Sequence, residues 1–533
     1  MTEADYVIIG AGSAGCVLAN RLSADGRHRV VLLEAGPESD RFFVNMPAAA
    51  QKVMDDPELN WRHLAEPDPS ANDRRIFWHA GKMLGGGSAI NGMVYIRGAR
   101  QDYDGWAAAG CTGWSWNEVL PYFLRSETYH GAPSQWHGSS GPLSVSPLTI
   151  KHPLADAYVE AATAIGARPV EDYASGDIDG TFLINVTQGD GQRCSSARAH
   201  LGEAKGRSNL TVVTGALVDR VLLSEGRATG VRYRHGGETR EVAAHREVIV
   251  SAGSLQSPAV LMRSGIGDAE RLAAFGIAVV RDLPQVGRNL TEHASIAYSR
   301  FVSARMYNAA TSPFRLPWHM LNYLLFRQGV LTSGPVQAMA FLRSRPELER
   351  PDIRTQWAPF CFDLGTGKLH KRSGMSVFTG ITHPRSRGEI RLRSADPVDQ
   401  PIIDHRLLGD DEDVAALVAA LKLVDHIFEH PALARHVIGR NLPPERPADD
   451  AGWEEVLRRY IGLGYHSIST CRMGADEASV VDPRLRVRGI DRLRGIDASI
   501  MPVMPSANTN APTMMIAEKG AEMILQDAAA TAA

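Results

Sequence analysis

A glycine turn between a strand and a helix, within the first 36 residues, constrains the fold of this chain more than any other feature. Tyr6-Val7-Ile8-Ile9 is a short apolar run of the kind buried on both faces of a parallel sheet. Gly10-Ala11-Gly12-Ser13-Ala14-Gly15 follows at once, and Val17, Leu18, Arg21 and Leu22 continue at helical spacing. Arg29–Leu33 reads as the second strand and ends in Glu34-Ala35-Gly36. In the GxGxxG, Gly10 makes the tight turn, Gly12 lets amides approach a pyrophosphate, and Gly15 permits close helix–strand packing. The helix N-terminus then meets the phosphates with unpaired N–H groups and its positive dipole end. Glu34 lies 19 residues beyond Gly15, where a carboxylate bonds ribose hydroxyls and repels a 2′-phosphate. A doubly wound α/β domain that binds a dinucleotide is therefore expected, and NADP is disfavoured. The motif alone does not separate FAD from NAD.

The rest of the chain sets bounds. With 533 residues it exceeds what one hydrophobic core supports, so more than one domain is expected. It has 57 basic and 60 acidic residues, a formal charge of −3, with no electrostatic footprint for nucleic acid. Five scattered Cys without a CxxC pair argue against a disulfide scaffold or a zinc site, and no metal is expected. The start of the chain shows no signal peptide, and no stretch approaches a transmembrane span; Leu316–Phe326, the greasiest, is too short and mixed. The expected location is the cytoplasm, with peripheral contact to the inner membrane through an electron acceptor as a further option.

Organisation changes along the sequence. Residues 37–110 are rich in Gly, Pro and Asn with weak periodicity, as in long ordered loops that cover something. Short β-type runs at Leu210–Val213, Val218–Leu223, Gly230–Tyr233 and Arg246–Ser251 suggest a return to the first sheet. Alternating runs at Arg354–Phe360, Ser376–Thr382 and Glu389–Leu392 suggest a separate antiparallel sheet. Asp411–Phe428 is an amphipathic helix, and Thr513–Ile524 is again helical. The expected fold class is α/β: a Rossmann-like dinucleotide domain, discontinuous in sequence, with an α+β substrate domain on an antiparallel sheet. The expected division is 1–155, 191–300 and 461–533 for the dinucleotide domain, 156–190 for a substrate-side insertion and 301–460 for the substrate domain.

Two further clusters point at a ligand. Gly85-Gly86-Gly87, inside Gly81–Asn91, cannot be a good helix or strand interior. An apolar approach (Met83, Leu84) and a polar exit (Ser88, Asn91) suit a loop lying against a flat ligand. In Ser251–Gly267 a strand ending in small residues runs into a helix, with Ser257 read as its cap and Pro258 in its first turn. That is where α/β sheets place ligands.

Together these motifs resemble the glucose–methanol–choline (GMC) flavoprotein oxidoreductases along nearly the whole chain. The segments Asp5–Leu22, Gly81–Gly98, Gly253–Gly267, Val286–His293, Tyr465–Gly474 and Asp497–Glu518 occur in family order. The nearest likeness is to the bacterial alcohol, sorbose and choline dehydrogenases and the furfuryl-alcohol oxidases. The resemblance implies FAD rather than NAD. It implies that FAD is held by Gly10, Gly12, Ser13, Ala14, Gly15, Glu34 and Ala35 of the first turn. From the second loop it implies Gly81, Leu84, Gly85, Gly86, Ser88, Asn91, Gly92, Met93 and Val94. Later in the chain it implies Val218, Ala252, Gly253, Asp497, Ala498, Asn508 and Thr513. Where some choline-oxidising relatives carry a flavin-linking His, this chain has Ile90, so the FAD is expected to be non-covalent.

By residue type alone, His466 lies among small and polar neighbours that suit a cleft, and Asn510 precedes a helix as a cap or turn residue would. The resemblance makes His466 the catalytic base and Asn510 its partner. The implied reaction oxidises an alcohol, primary by preference, to an aldehyde or ketone. His466 takes the hydroxyl proton, the Asn510 amide supports the alkoxide-like oxygen, and flavin N5 takes the hydride. Electrons would pass to a quinone or other carrier, or to oxygen in an oxidase that makes peroxide. A lyase that cleaves hydroxynitriles around a structural FAD and an NAD-dependent dehydrogenase are the readings from other classes. His293 reads as a structural residue near the flavin, and His383 as a lesser substrate contact. Trp318, Tyr323, Phe326, Trp357 and Phe360 read as pocket or core.

Overall fold

The computed structural model describes residues 2–364 and 367–532; the ends of the expected first and last segments, Met1 and Ala533, lie outside them. The first strand is Thr2–Ile9, longer than the apolar run, because Thr2–Ala4 pair with Val242–Ala244 before a bulge ahead of Tyr6. Gly10 turns the chain at φ +95° into the helix Ser13–Ser23, and Val30–Leu33 returns beside the first strand. Both strands are buried through Tyr6–Ile9 and Val30–Leu33, as parallel strands covered on two faces must be.

The first sheet has seven strands. Leu210–Val213, Val30–Leu33, Thr2–Ile9, Glu238–Val250 and Leu493–Gly495 run parallel. Arg227–His235 and Leu217–Ser224 continue it as an antiparallel meander from the start of Glu238–Val250. A single core cluster packs the helices Ser13–Ser23, Gly253–Arg263 and Asn510–Ala532 around this sheet. Residues 37–110 form short helices and two-residue strands that wrap the edge of the cavity described below.

The second sheet is antiparallel, in the order Val437–Leu442, Ala294–Val302, Gly374–Ile381, Ile353–Ala358, Ala338–Leu342, Thr181–Leu183. The alternation of its strands decides its two faces. Ile353, Thr355, Trp357, Val377, Ile296 and Tyr298 are buried with the helix Asp411–Glu429 or beneath the sheet. Arg354, Gln356, Phe378, Ala297 and Ser295 point the other way, into the cavity.

Two expected boundaries move. The strand Ala294–Val302 is an inner strand of the second sheet, next to the edge strand Val437–Leu442, so a division at residue 300 falls inside it, and Gly462–Leu463 pairs with that strand rather than joining the first domain. The expected insertion does reach the second sheet, through Thr181–Leu183. The helix after Val250 begins at Gly253, five residues before Pro258. Ser257 is therefore no cap of that helix: its hydroxyl accepts from the Ala252 amide and donates to Asp497. Pro258 leaves the Ser254 carbonyl without its helical donor, and the Thr470 hydroxyl supplies one at 2.6 Å.

Candidate active site

Between the two sheets lies a cavity of about 1090 Å³ that runs from the end of the second strand to the loop carrying His466. Its dinucleotide end is made mostly of backbone. Gly12 caps the helix Ser13–Ser23 without a side-chain bond, and a Cβ on it would meet no atom within 4 Å. Free N–H groups thus face open space at a positive helix end, which fits a pyrophosphate. Gly86 closes over this turn so tightly that a Cβ on it would stand 2.8 Å from the Gly12 Cα.

Most of the expected cofactor contacts line this cavity. They include Gly10, Gly12, Ser13, Ala14, Glu34 and Ala35 from the first turn. The second loop contributes Gly81, Gly86, Asn91, Gly92, Met93 and Val94. Val218, Ala252, Gly253, Asp497, Ala498, Asn508 and Thr513 complete the wall. Four expected contacts stand behind it instead. Gly15 packs on the turn, where a Cβ would meet the Gly10 oxygen at 1.9 Å. The Gly85 amide donates to the Ala11 carbonyl, the Leu84 amide to that of Pro37, and the Ser88 hydroxyl to that of Gly85. These residues clamp the two glycine loops together; they position the wall without forming it.

Glu34 is buried and accepts from the amides of Ala11 (2.9 Å) and Gly36 (2.8 Å). Burial pushes its carboxyl up to about 7 against the pull of those amides. Each oxygen keeps a lone pair for a ribose hydroxyl on the cavity side. Asp497 similarly takes the amides of Gly253 and Ser499. Ile90 lines the cavity with an alkyl group that offers no nucleophile for a covalent link to a flavin.

The reactive end is built from side chains. His466 is buried, and its backbone N–H donates to both oxygens of Glu292, at 2.7 and 3.0 Å. Tyr465 just before it takes a left-handed φ of +62°, a strain of about 1–3 kcal/mol for a bulky residue, and the Glu292 anchor holds the loop in that shape. Burial raises the Glu292 carboxyl to about 8.

The partners of the ring assign its protons. His293 Nε2 lies 3.0 Å from the Thr382 carbonyl oxygen, which can only accept, so Nε2 carries the hydrogen. Burial, then the Arg354 charge, holds His293 neutral, which leaves its Nδ1 bare. His466 Nδ1, 3.0 Å away, donates to it. His466 Nε2 is therefore the bare nitrogen, and it accepts from Asn508 Nδ2 at 3.0 Å. Asn508 Oδ1 in turn accepts from Gln356 Nε2 at 3.1 Å, which fixes the amide's orientation. Arg354 Nη2 lies 3.2 Å from His466 Nδ1. With that nitrogen protonated, the guanidinium acts on the ring as a nearby positive charge. Burial first, and Arg354 second, hold His466 well below the ordinary imidazole range.

The structure brings a second Asn to the expected pair. Asn510 lines the cavity, opens the helix Asn510–Ala532 and accepts from the Ser13 hydroxyl at 2.7 Å. Asn508, two residues earlier and still in the loop, is the residue that meets the imidazole. Arg354 and Gln356 are not expected from the sequence, although the polar alternation in Ile353–Ala358 is their signal, and His293 has a larger part than a structural residue would. His383 meets Asp102, Arg350 and Ser506 and is not among the residues lining the cavity. Of the aromatic candidates only Phe360 lines the cavity; Trp357 and Tyr323 are buried, while Trp318 and Phe326 are exposed. Among the described residues no group of His, Cys, Asp and Glu side chains could hold a metal ion.

A bare, buried imidazole nitrogen at one end of a dinucleotide cradle is the arrangement of an enzyme that sets a base beside a bound nucleotide cofactor. Comparison with known proteins agrees. The sequence profile described as GMC oxidoreductase matches residues 4–295 in its N-terminal part and 384–517 in its C-terminal part. An alcohol dehydrogenase [acceptor] of Pseudomonas putida is 40% identical over 528 residues, covering 98% of this chain and 96% of its own. An oxygen-dependent choline dehydrogenase of Sinorhizobium medicae is 40% identical over 530 residues, with the same coverage. The solved structure of pyridoxine 4-oxidase from Mesorbium loti superposes with a TM-score of 0.88 at 32% identity, over 97% of this chain and 98% of that one. The chain belongs to the GMC oxidoreductase family. Its cofactor is FAD, and the cradle formed by the glycine loops fits one.

Proposed function

We propose that the protein oxidises a primary alcohol to the aldehyde, with His466 as base and Asn508 as its partner, and passes the electrons to a quinone or other carrier. Bound FAD supplies the acceptor for the hydride. The chain's residues handle the proton. His466 Nε2 is bare before substrate arrives, because His293 and the Thr382 carbonyl fix the opposite tautomer. A substrate hydroxyl on Nε2 gives up its proton there, and Nδ1–H then donates to His293 as the ring becomes charged. Asn508 Nδ2 is placed to donate to the oxygen left behind. The bare Nε2 facing Asn508 inside the cavity is the observation that carries this reading.

The wall near this end favours an apolar alcohol. Phe360, Phe362 and Phe378 cluster with ring centroids 5.3–6.4 Å apart and line the cavity. The acidic residues that line the cavity, Glu34 and Asp497, sit at the dinucleotide end and are engaged by backbone amides. The carboxylate nearest His466, that of Glu292, is buried and held by the His466 backbone N–H outside the cavity lining, so a quaternary ammonium alcohol would meet the Arg354 charge there instead. We place the protein in the cytoplasm, because its five Cys are unpaired and buried, as a reducing compartment permits. The test is anaerobic flavin bleaching by benzylic, long-chain, sugar and amino alcohols. Aromatic and aliphatic primary alcohols should bleach it, and His466→Ala should slow this by roughly 10³-fold with FAD still bound. Failure of every alcohol, with cleavage of a hydroxynitrile, would replace this reading with a lyase.

A further inference from the structure

The helix Leu316–Phe326 is apolar almost all round, yet most of it stands in solvent. Trp318 is 70% exposed, Leu325 63% and Phe326 64%, with Leu321 and Leu324 about half exposed and Phe314 just before the helix at 94%. A helix of this composition is ordinarily buried, and an exposed apolar patch of this kind marks an interaction surface. Its inner side is what fixes it. Tyr323 is buried against Met46, Ala49 and Leu331, and Leu316 and Met320 help wall the cavity. Exposed Phe42 extends the patch through an edge contact with Tyr323, with ring centroids 6.1 Å apart, and Phe43 stands beside Phe42.

Charge beside Phe42 is mixed, with Asp40 and the Arg41–Glu58 pair, but charge along the helix and its flanks narrows what covers it. From residue 293 to residue 346 the chain has no Asp or Glu, but it has six Arg. Two of them, Arg315 and Arg327, bracket the helix at its ends, and Lys52 lies 3.5 Å over the Phe43 ring. An apolar face with Trp and Leu, cations at both ends and no acid in the segment is the pattern of a helix lying in the plane of an anionic bilayer. Arg327 packs its guanidinium over the buried Tyr323 ring, 4.8 Å from the centroid, while Arg315 and Lys52 can bury their stems and keep their charges at headgroup level. Among the described residues no helix is long and apolar enough to cross a membrane, so contact of this kind would be with the surface.

We propose that Leu316–Phe326, with Phe314, Phe42 and Phe43, docks the protein onto an anionic lipid bilayer and sets the adjoining side of the cavity against the membrane. Neither docking nor its test depends on which alcohol is oxidised. The experiment is co-sedimentation of the FAD-loaded enzyme with vesicles of phosphatidylcholine alone and of phosphatidylcholine with phosphatidylglycerol. Wild type is expected to bind the mixed vesicles at least about tenfold more tightly than the neutral ones. The Trp318→Glu/Leu325→Glu variant should lose at least about tenfold in vesicle affinity, because two apolar anchors become anions. Its flavin content, melting temperature and turnover with a water-soluble dye acceptor should stay at wild-type values, since neither residue lines the cavity. Arg315→Glu should weaken binding to the mixed vesicles and leave binding to the neutral ones unchanged. No vesicle binding, or binding untouched by the double variant, would overturn the proposal. So would a solution dimer that the double variant dissociates, which would make a second copy the occupant.

Discussion

The two ends of the cavity are built by opposite means. The dinucleotide end is backbone: glycines, amides and helix termini, with loops clamped to one another through carbonyls. The reactive end is side chains on a sheet and on the loops it covers, with Arg354 and Gln356, two residues apart on one strand, reaching His466 and Asn508. A backbone wall demands particular residues wherever a Cβ would intrude, so it shows in the sequence as glycine at fixed spacing. A side-chain wall demands only that polar atoms meet, and residues 293, 354, 356, 382, 466 and 508 meet from five segments of chain. Cofactor binding and chemistry therefore leave traces of unequal clarity in the sequence.

The largest expected effect lies on the backbone wall. Gly15→Ala places a methyl 1.9 Å from the Gly10 oxygen, against rigid backbone. We expect a loss of the order of 3 kcal/mol or more, with poor FAD retention, read by thermal unfolding and flavin stoichiometry. Wild-type values for both would break the distinction between the two walls.

A smaller effect is expected behind the reactive end. The Arg354 charge adds to burial in holding His466 below the ordinary imidazole range, so the base form persists as pH falls. In wild type, kcat/KM should stay level through that range and decline only below it. Arg354→Met removes the cation, so the imidazole binds its proton more readily and the acid limb moves to higher pH. FAD content should not change. An acid limb that stays in place, or moves down, would show that Arg354 has no electrostatic hold on the base.

How much is legible in the sequence follows the same line. The strand–glycine–helix–strand unit, the position of Glu34 and the antiparallel second sheet are readable, because burial and turn geometry limit the residues that serve. The extent of the first strand is not, since Thr2–Ala4 pair by backbone alone. The helix start at residue 253 is hidden because Pro258 looks like a first-turn residue, and only the distant Thr470 hydroxyl makes it tolerable inside. The choice between Asn508 and Asn510 turns on two identical residues in one turn. Helix geometry separates them: the first helical residue looks toward Ser13 and the loop residue toward His466. Nothing in the local sequence fixes where that helix begins. The role of His293 depends on which nitrogen meets Thr382, which no sequence pattern encodes.

The most direct test of the His466–Asn508 pair compares Asn508→Ala with Asn510→Ala in anaerobic rapid mixing with an oxidised alcohol substrate. Asn508→Ala should slow flavin reduction by about 10²-fold with normal FAD binding. Asn510→Ala should leave reduction near wild type and weaken FAD binding by about tenfold at most, the worth of one neutral hydrogen bond. The reverse order, with Asn510 controlling the rate and Asn508 dispensable, would contradict the account.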